Sequence, residues 1–189
     1  DSGWRDEPLY TQNFPLKCGK GSAYEGGIRE PMIVRWPGTV QPGTRCNDYL
    51  IIEDFYPSIL EMAGIDDYDV PQEIDGISFV PLLKQTKNPS QGRSLYWNCP
   101  NIWGEKGPGI GPSCTIRKDN WKMIYFYETG EKELYDIPND IEENNNVAAL
   151  YPQIINKLSK ELGKFLRQTN GQRPSFKKTG KPCPWPDEI

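Results

Sequence analysis

Lys20 stands between Gly19 and Gly21 in the run CGKGSAYEGGIREPMIVRWPG, from Cys18 to Gly38. Glycine on both sides lets the backbone approach a ligand closely and take up positive φ. A lysine presented this way suits a compact, highly charged anion such as sulfate or phosphate. The phosphate-loop pattern GxxxxGK[ST] is absent, and the spacing also fits a solvated lysine in a glycine-rich loop. Asp1-Ser2-Gly3 is a second candidate. A carboxylate beside a hydroxyl can hold a hard cation, although a ragged terminus reads the same way.

Missing residue types narrow the chemistry further. The chain has no histidine, so the commonest general base is unavailable and a Ser-His-Asp or Cys-His arrangement cannot be built from it. Its five cysteines, at 18, 46, 99, 114 and 183, contain no CxxC pair, which argues against a zinc site. The number is odd, so at least one thiol stays unpaired within a monomer. Any catalytic part played by this chain rests on carboxylates, lysine, arginine, a metal, or groups from another segment.

These residues need a frame. The 189 residues suggest one domain, or one domain plus a small appendage. A net charge of -4 argues against a nucleic-acid surface, and no apolar run approaches the ~18 residues of a membrane span. The 18 glycines and 18 prolines, with 12% aromatic residues, read as a loop-rich globular protein. The first residue is Asp, so the chain is read as a processed product or a fragment.

Residues 1–31 read as mostly loop. Met32–Trp36 is a short apolar run closed by Pro37-Gly38, which predicts a strand and a turn. A helix is expected from about Glu53 to Gly64, burying Phe55, Ile59, Met62 and Ala63, with a short helix around Val80–Leu83. The run KQTKNPSQGR, Lys84–Arg93, has no core-forming residue and marks a boundary. Beyond it Ser94–Asn98, Cys114–Lys118, Trp121–Tyr127 and Lys132–Ile137 predict strands. Tight turns at Lys118-Asp119-Asn120 and Thr129-Gly130-Glu131 imply an antiparallel meander. Leu150, Ile154, Ile155, Leu158, Leu162, Phe165 and Leu166 repeat at helical spacing, with Lys157, Lys160 and Lys164 mostly opposite, so an amphipathic helix should pack on the meander. The tail 168–189 reads as an extended strap or a frayed end.

The order of motifs resembles the type I sulfatases, the arylsulfatase family of the alkaline phosphatase-like superfamily, over roughly residues 1–167. Leu16–Gly38 resembles that family's second signature region. Ile74–Ser78 with Pro81-Leu82-Leu83 is similar to its D-G-x-S-x-x-P-L-L segment. Thr115–Ile124, TIRKDNWKMI, resembles its A-I-R-x-G-D-W-K-L-I strand pair, and Glu133–Asp136 its E-L-Y-D-L stretch.

The resemblance implies an α/β fold, α+β for an isolated fragment: the C-terminal part of a sulfatase, with a small antiparallel sheet packed on a C-terminal amphipathic helix. Residues 1–84 would complete the large catalytic domain, 93–167 would form the subdomain, and 168–189 the tail. The implied activity is sulfate-ester hydrolysis, on a sulfated carbohydrate or a small aryl sulfate. Lys20 would contact the sulfate and the leaving oxygen. Asp1 would be a calcium ligand. Ser2 stands where the family usually has asparagine, and offers one oxygen of shorter reach. The C/S-x-P-x-R motif that yields the formylglycine nucleophile is absent, so the chain should be inactive alone and need an upstream portion of the same protein. Tyr24–Gly27 and Arg29 read as a turn with an internal ion pair at Glu25 or Arg29. Asn98 replaces the histidine of a W-H-Y-P-like segment and is a candidate substrate contact. Trp103 and the loop 104–111 are candidates for shaping substrate entry. Family analogy implies a periplasmic or secreted location. The other reading is a non-catalytic binding or assembly module derived from the same fold.

Overall fold

The computed structural model describes residues 13–65, 67–102 and 107–189. It divides into two compact units: one joins the segment ending at Glu30 to Ser94–Ile189, and the other is Pro31–Arg93.

The first unit is built on a four-stranded antiparallel meander, β1 (Ser94–Cys99), β2 (Ser113–Lys118), β3 (Trp121–Phe126) and β4 (Lys132–Asp136), in that order across the sheet. Lys118 pairs with Trp121, leaving a two-residue turn. Its first residue, Asp119, has φ +51°, a left-handed conformation that a short polar side chain tolerates. The predicted hairpins are therefore present.

Side chains alternate across a strand, and both faces of this sheet are covered. Met123, Leu134, Cys114 and Ile116 are buried against Leu158, Leu162 and Leu166 of the long helix α4 (Pro152–Gln168). Those leucines repeat every four residues and so form one stripe. Each fully buried side chain of this kind stabilises the fold by roughly 1.5–3 kcal/mol relative to exposure. Phe165 stacks flat on Tyr96, with ring centroids 3.8 Å apart. Lys157, Lys160 and Lys164 face solvent, as the periodicity predicts. Leu150 does not join the stripe and is 71% exposed. The helix begins two residues later at Pro152, whose missing N–H costs nothing in a first turn.

The tail is a strap. Cys183 and Trp185 join the core under α4, and the Tyr125 hydroxyl donates to the Pro184 carbonyl at 2.9 Å. Arg167 grips the Asp187 carboxylate with both guanidinium nitrogens, at 2.9 and 2.5 Å. Gly163 makes room for this contact, because a Cβ there would collide with the Asp187 carboxylate.

The second unit holds α2 (Phe55–Met62) and α3 (Val80–Leu83), with α1 (Glu25–Ile28) belonging to the first. Gly64, at φ +70°, stops α2. The buried face of α2 differs from expectation. Asp54 and Ser58 are buried, whereas Ile59 is 57% exposed. The reason is local polar bonding. Asp54 accepts from the Ile51 and Ile77 amides and pairs with Arg93 at 2.6 Å, and Ser58 Oγ accepts from the Phe79 amide. Those bonds turn the polar side inward toward 76–80. Gly76 is required there, since a Cβ would strike the Glu53 carbonyl. Met32–Trp36 does not form a strand: it has no ladder partner among the described residues, and Ile33 is almost fully exposed.

Candidate anion site around Lys20

The second face of the meander positions Lys20. Cys18, Tyr24, Ile124, Tyr135 and Ile137 form a small core there, so the glycine-rich segment is the lid of the sheet. Cys18 has φ +61° and Gly21 +87°, two reversals that leave Lys20 and Gly21 at the surface while Gly19 stays buried. The chain then folds back on α1. Gly26 N–H donates to the Lys17 carbonyl at 3.0 Å, and Ser22 N–H to that of Gly19 at 3.1 Å. A Cβ on Gly26 would collide with the Lys17 and Cys18 carbonyls, and one on Gly27 with those of Gly19 and Ser22. Backbone lies directly on backbone, which only glycine permits. Lys20 is the exposed residue at the tip of this tight loop, and it makes no hydrogen bond or ion pair with any described residue.

Beneath the loop lies a buried charge cluster. The Lys122 ammonium is fully buried, 3.1 Å from Glu25 Oε1 and 2.9 Å from Glu143 Oε1. Arg117, the cross-strand partner of Lys122, reaches Glu25 Oε2 at 3.4 Å, and Arg29 reaches the same oxygen at 3.3 Å. The Glu25 amide donates to Glu143 Oε2 at 2.5 Å. Burial alone would raise the Glu25 carboxyl, but Lys122, then Arg117 and Arg29, outweigh it and hold it below the usual carboxylate range. Glu143 goes the other way: burial outweighs its share of Lys122, and its carboxyl is raised. The internal ion pair expected at Glu25 or Arg29 is therefore present, as a larger network in which the two also meet each other.

Lys17 is a second brace. Its ammonium donates to the Glu143 carbonyl at 2.8 Å and lies 3.9 Å from the centroid of the Tyr24 ring. The Tyr24 and Tyr135 hydroxyls both donate to Glu133 Oε2 at 2.9 Å. Sequence reading missed Lys17, Lys122 and Glu143. For Lys122 a signal exists, because it occupies an inward position once both sheet faces are known to be covered.

Residues 18–169 match the family described as N-sulphoglucosamine sulphohydrolase, C-terminal. The chain belongs to the sulfatase family. A sulfatase of Formosa agariphila is 29% identical over 189 residues, covering 93% of this chain and 34% of its own length. An ulvan-active sulfatase of the same organism is 30% identical over 181 residues, or 79% of this chain and 35% of the relative. Arylsulfatase K of Xenopus laevis is 30% identical over 149 residues, 76% of this chain and 27% of the relative. The sulfatase chain thus spans 27 to 35% of the length of these relatives. Among solved structures, Ps i-CgsB in complex with k-i-k-neocarrahexaose superposes with a TM-score of 0.72 at 29% identity, over 88% of this chain and 34% of that one.

The other candidates of this sulfatase segment are placed differently. Asn98 lies in β1 on the α4 side, with Tyr127 donating to its Oδ1 at 3.0 Å and its Nδ2 donating to the Gln172 carbonyl at 2.8 Å. The Lys20 loop covers the opposite face, so the sheet does not bring the two to one side. Asp1, Ser2 and Trp103 lie outside the described residues. Among the described residues no group of three or more His, Cys, Asp or Glu side chains forms a cation site. No helix among them is long and apolar enough to cross a membrane.

Proposed function

We propose that this chain is the C-terminal portion of a sulfate-ester hydrolase, and that Lys20 is its contribution to binding the sulfuryl group. The observation that carries the proposal is the exposed ammonium of Lys20, without a partner among the described residues, on a loop braced by Gly26, Gly27 and the buried Glu25. As the ester bond to sulfur breaks, negative charge grows on the sulfuryl and leaving oxygens. The braced loop fixes where the Lys20 backbone sits, so its ammonium is presented toward that growing charge. In this reading Asp1, with Ser2, would hold calcium, whose chemistry is to neutralise charge on the sulfate. The formylglycine nucleophile would come from upstream, residues 1–84 would complete the large domain, and 93–167 would be its subdomain with 168–189 as a strap. This portion would then be inactive alone, and the protein periplasmic or secreted.

The substrate class we infer is a sulfated carbohydrate, with small aryl sulfates as the alternative. Support comes from similarity to a protein crystallised with neocarrahexaose and to an ulvan-active sulfatase. Asn98 lies on the opposite face of the sheet from the Lys20 loop, so in this reading its remaining N–H and oxygen lone pair would meet a part of the substrate remote from the reacting sulfate. The test is sulfate release by the full-length protein from a sulfated oligosaccharide and from an aryl sulfate, with Lys20→Ala beside the wild type. Activity on either that falls by two orders of magnitude in the variant supports the assignment. Unchanged activity in Lys20→Ala removes Lys20 from the site, and no sulfate release from either substrate overturns the reading.

A further inference from the structure

The residues matched to the family's C-terminal description end at 169, and the C-terminal end of the chain carries a charge pattern of its own. From Leu162 to Pro186 the sequence holds Lys164, Arg167, Arg173, Lys177, Lys178 and Lys181 and no Asp or Glu, in a chain whose net charge is -4. The structure sorts these cations. Arg167 is neutralised by Asp187, and Arg173 lies over the Trp185 ring with Glu188 at 3.6 Å. Lys177, Lys178 and Lys181 have no ion pair or hydrogen bond from their ammonium groups with any described residue.

Those three share one small hairpin. Ser175 bridges to Pro182, and the Phe176 amide donates to the Lys181 carbonyl at 2.9 Å. The Thr179 and Gly180 amides both turn back to the Phe176 carbonyl, at 3.1 and 2.8 Å, with Gly180 at φ +67°. The loop between Phe176 and Lys181 thus places Lys177 and Lys178 at the tip and Lys181 at its foot. Its base is fixed: Cys183 N–H donates to the Pro174 carbonyl at 2.9 Å, and Cys183 and Trp185 are in the core. Beside the lysines the Phe176 ring is 38% exposed.

We infer that the hairpin 175–182 is an accessory binding site for a sulfated polysaccharide, separate from the Lys20 loop. Three ammonium groups on one turn, without a partner among the described residues, present a cluster of positive charge to a polyanion, and an exposed ring beside them offers a face to a sugar. Holding the lysines on a fixed turn lowers the ordering cost of binding. The inference rests on the proposed substrate class, since it gives the polymer a second hold outside the reacting centre.

The experiment uses the full-length protein and heparin as the probe, with neutral dextran as the control polymer. Binding is measured as a function of salt for wild type, for Lys177→Ser/Lys178→Ser/Lys181→Ser, and for Lys157→Ser/Lys160→Ser/Lys164→Ser on α4. The hairpin variant should bind at least about tenfold more weakly, and its log–log salt slope should shrink by roughly two to three, one released counterion per lost cation. The α4 variant should stay near wild type, and a Phe176→Ser variant should bind heparin more weakly with an unchanged slope. Equal losses in both lysine variants overturn the inference, as does a hairpin variant that binds like wild type. Binding of the hairpin to vesicles rich in anionic lipid but not to heparin also overturns it. Sulfate release from a short oligosaccharide by the full-length protein should not depend on the hairpin, so failure of the hydrolase reading shows separately.

Discussion

The Lys122 ammonium lies 3.1 Å from Glu25 Oε1, and both groups are shut off from solvent. This contact joins β3 to the first turn of α1, and so joins the sheet to the loop that displays Lys20. A buried ion pair is weak evidence for stability in itself, because desolvation offsets much of the attraction. Here its evident role is register: it sets where the glycine-rich segment sits.

Removing the shared cation is expected to be severe. Lys122→Met would leave Glu25 and Glu143 buried with one cation fewer, at a cost of about 3–5 kcal/mol. Urea unfolding of the chain checks this. Adding Glu143→Gln to Lys122→Met should recover part of the loss, because one of the stranded carboxylates is then neutral.

The same cluster predicts a two-sided pH response. Glu143 is raised, so the folded state gains protons first, and stability should increase as pH falls through that raised value toward the ordinary Glu range of about 4.3. Glu25 is lowered, so its contribution is complete above the ordinary Glu value and is lost as pH falls through its own lower one. The urea midpoint should therefore rise on mild acidification and drop below that range. Glu143→Gln should abolish the rise and leave the drop.

Gly27→Ala tests the loop. The added Cβ would meet the Gly19 and Ser22 carbonyls, so the turn carrying Lys20 must shift while α4 and the meander keep their packing. In the full-length protein, sulfate release should fall by roughly tenfold or more for a displacement of about 1 Å. The thermal midpoint should move far less than in Lys122→Met. A wild-type rate would mean that the position of Lys20 is unimportant.

Gly163→Ala tests the strap. Asp187 would be pushed off α4, its clamp on Arg167 would open, and Trp185 would become accessible. Overpacking of this kind costs typically about 1–3 kcal/mol. Hydrogen exchange should show lost protection at the Cys183 amide, with the centre of α4 unchanged.

Much of the first unit was legible in the sequence because its signals are local. Two-residue turns, alternation in β3 and the leucine stripe of α4 each follow from the spacing of side chains along one element. The sulfatase motifs were legible for the same reason, as ordered short runs. The failures are non-local. Met32–Trp36 has the composition of a strand, but a strand needs a neighbour, and the described residues supply none. The α2 face was misjudged because Asp54 and Ser58 are buried by partners more than 20 residues away, at Ile77 and Phe79.

Residue spacing alone was enough to establish most of the elements of the first unit; composition showed that any catalytic part must do without histidine, and the family came from the resemblance of the ordered motifs to known ones. The reason so many glycines surround Lys20 emerged only from the packed chain. They let the loop lie backbone against backbone on α1, while Glu25, far along the chain from Lys122 and Glu143, is drawn beneath it. Short-range spacing carries no record of that distance, since burial of a charge depends on both faces of a sheet being covered at once.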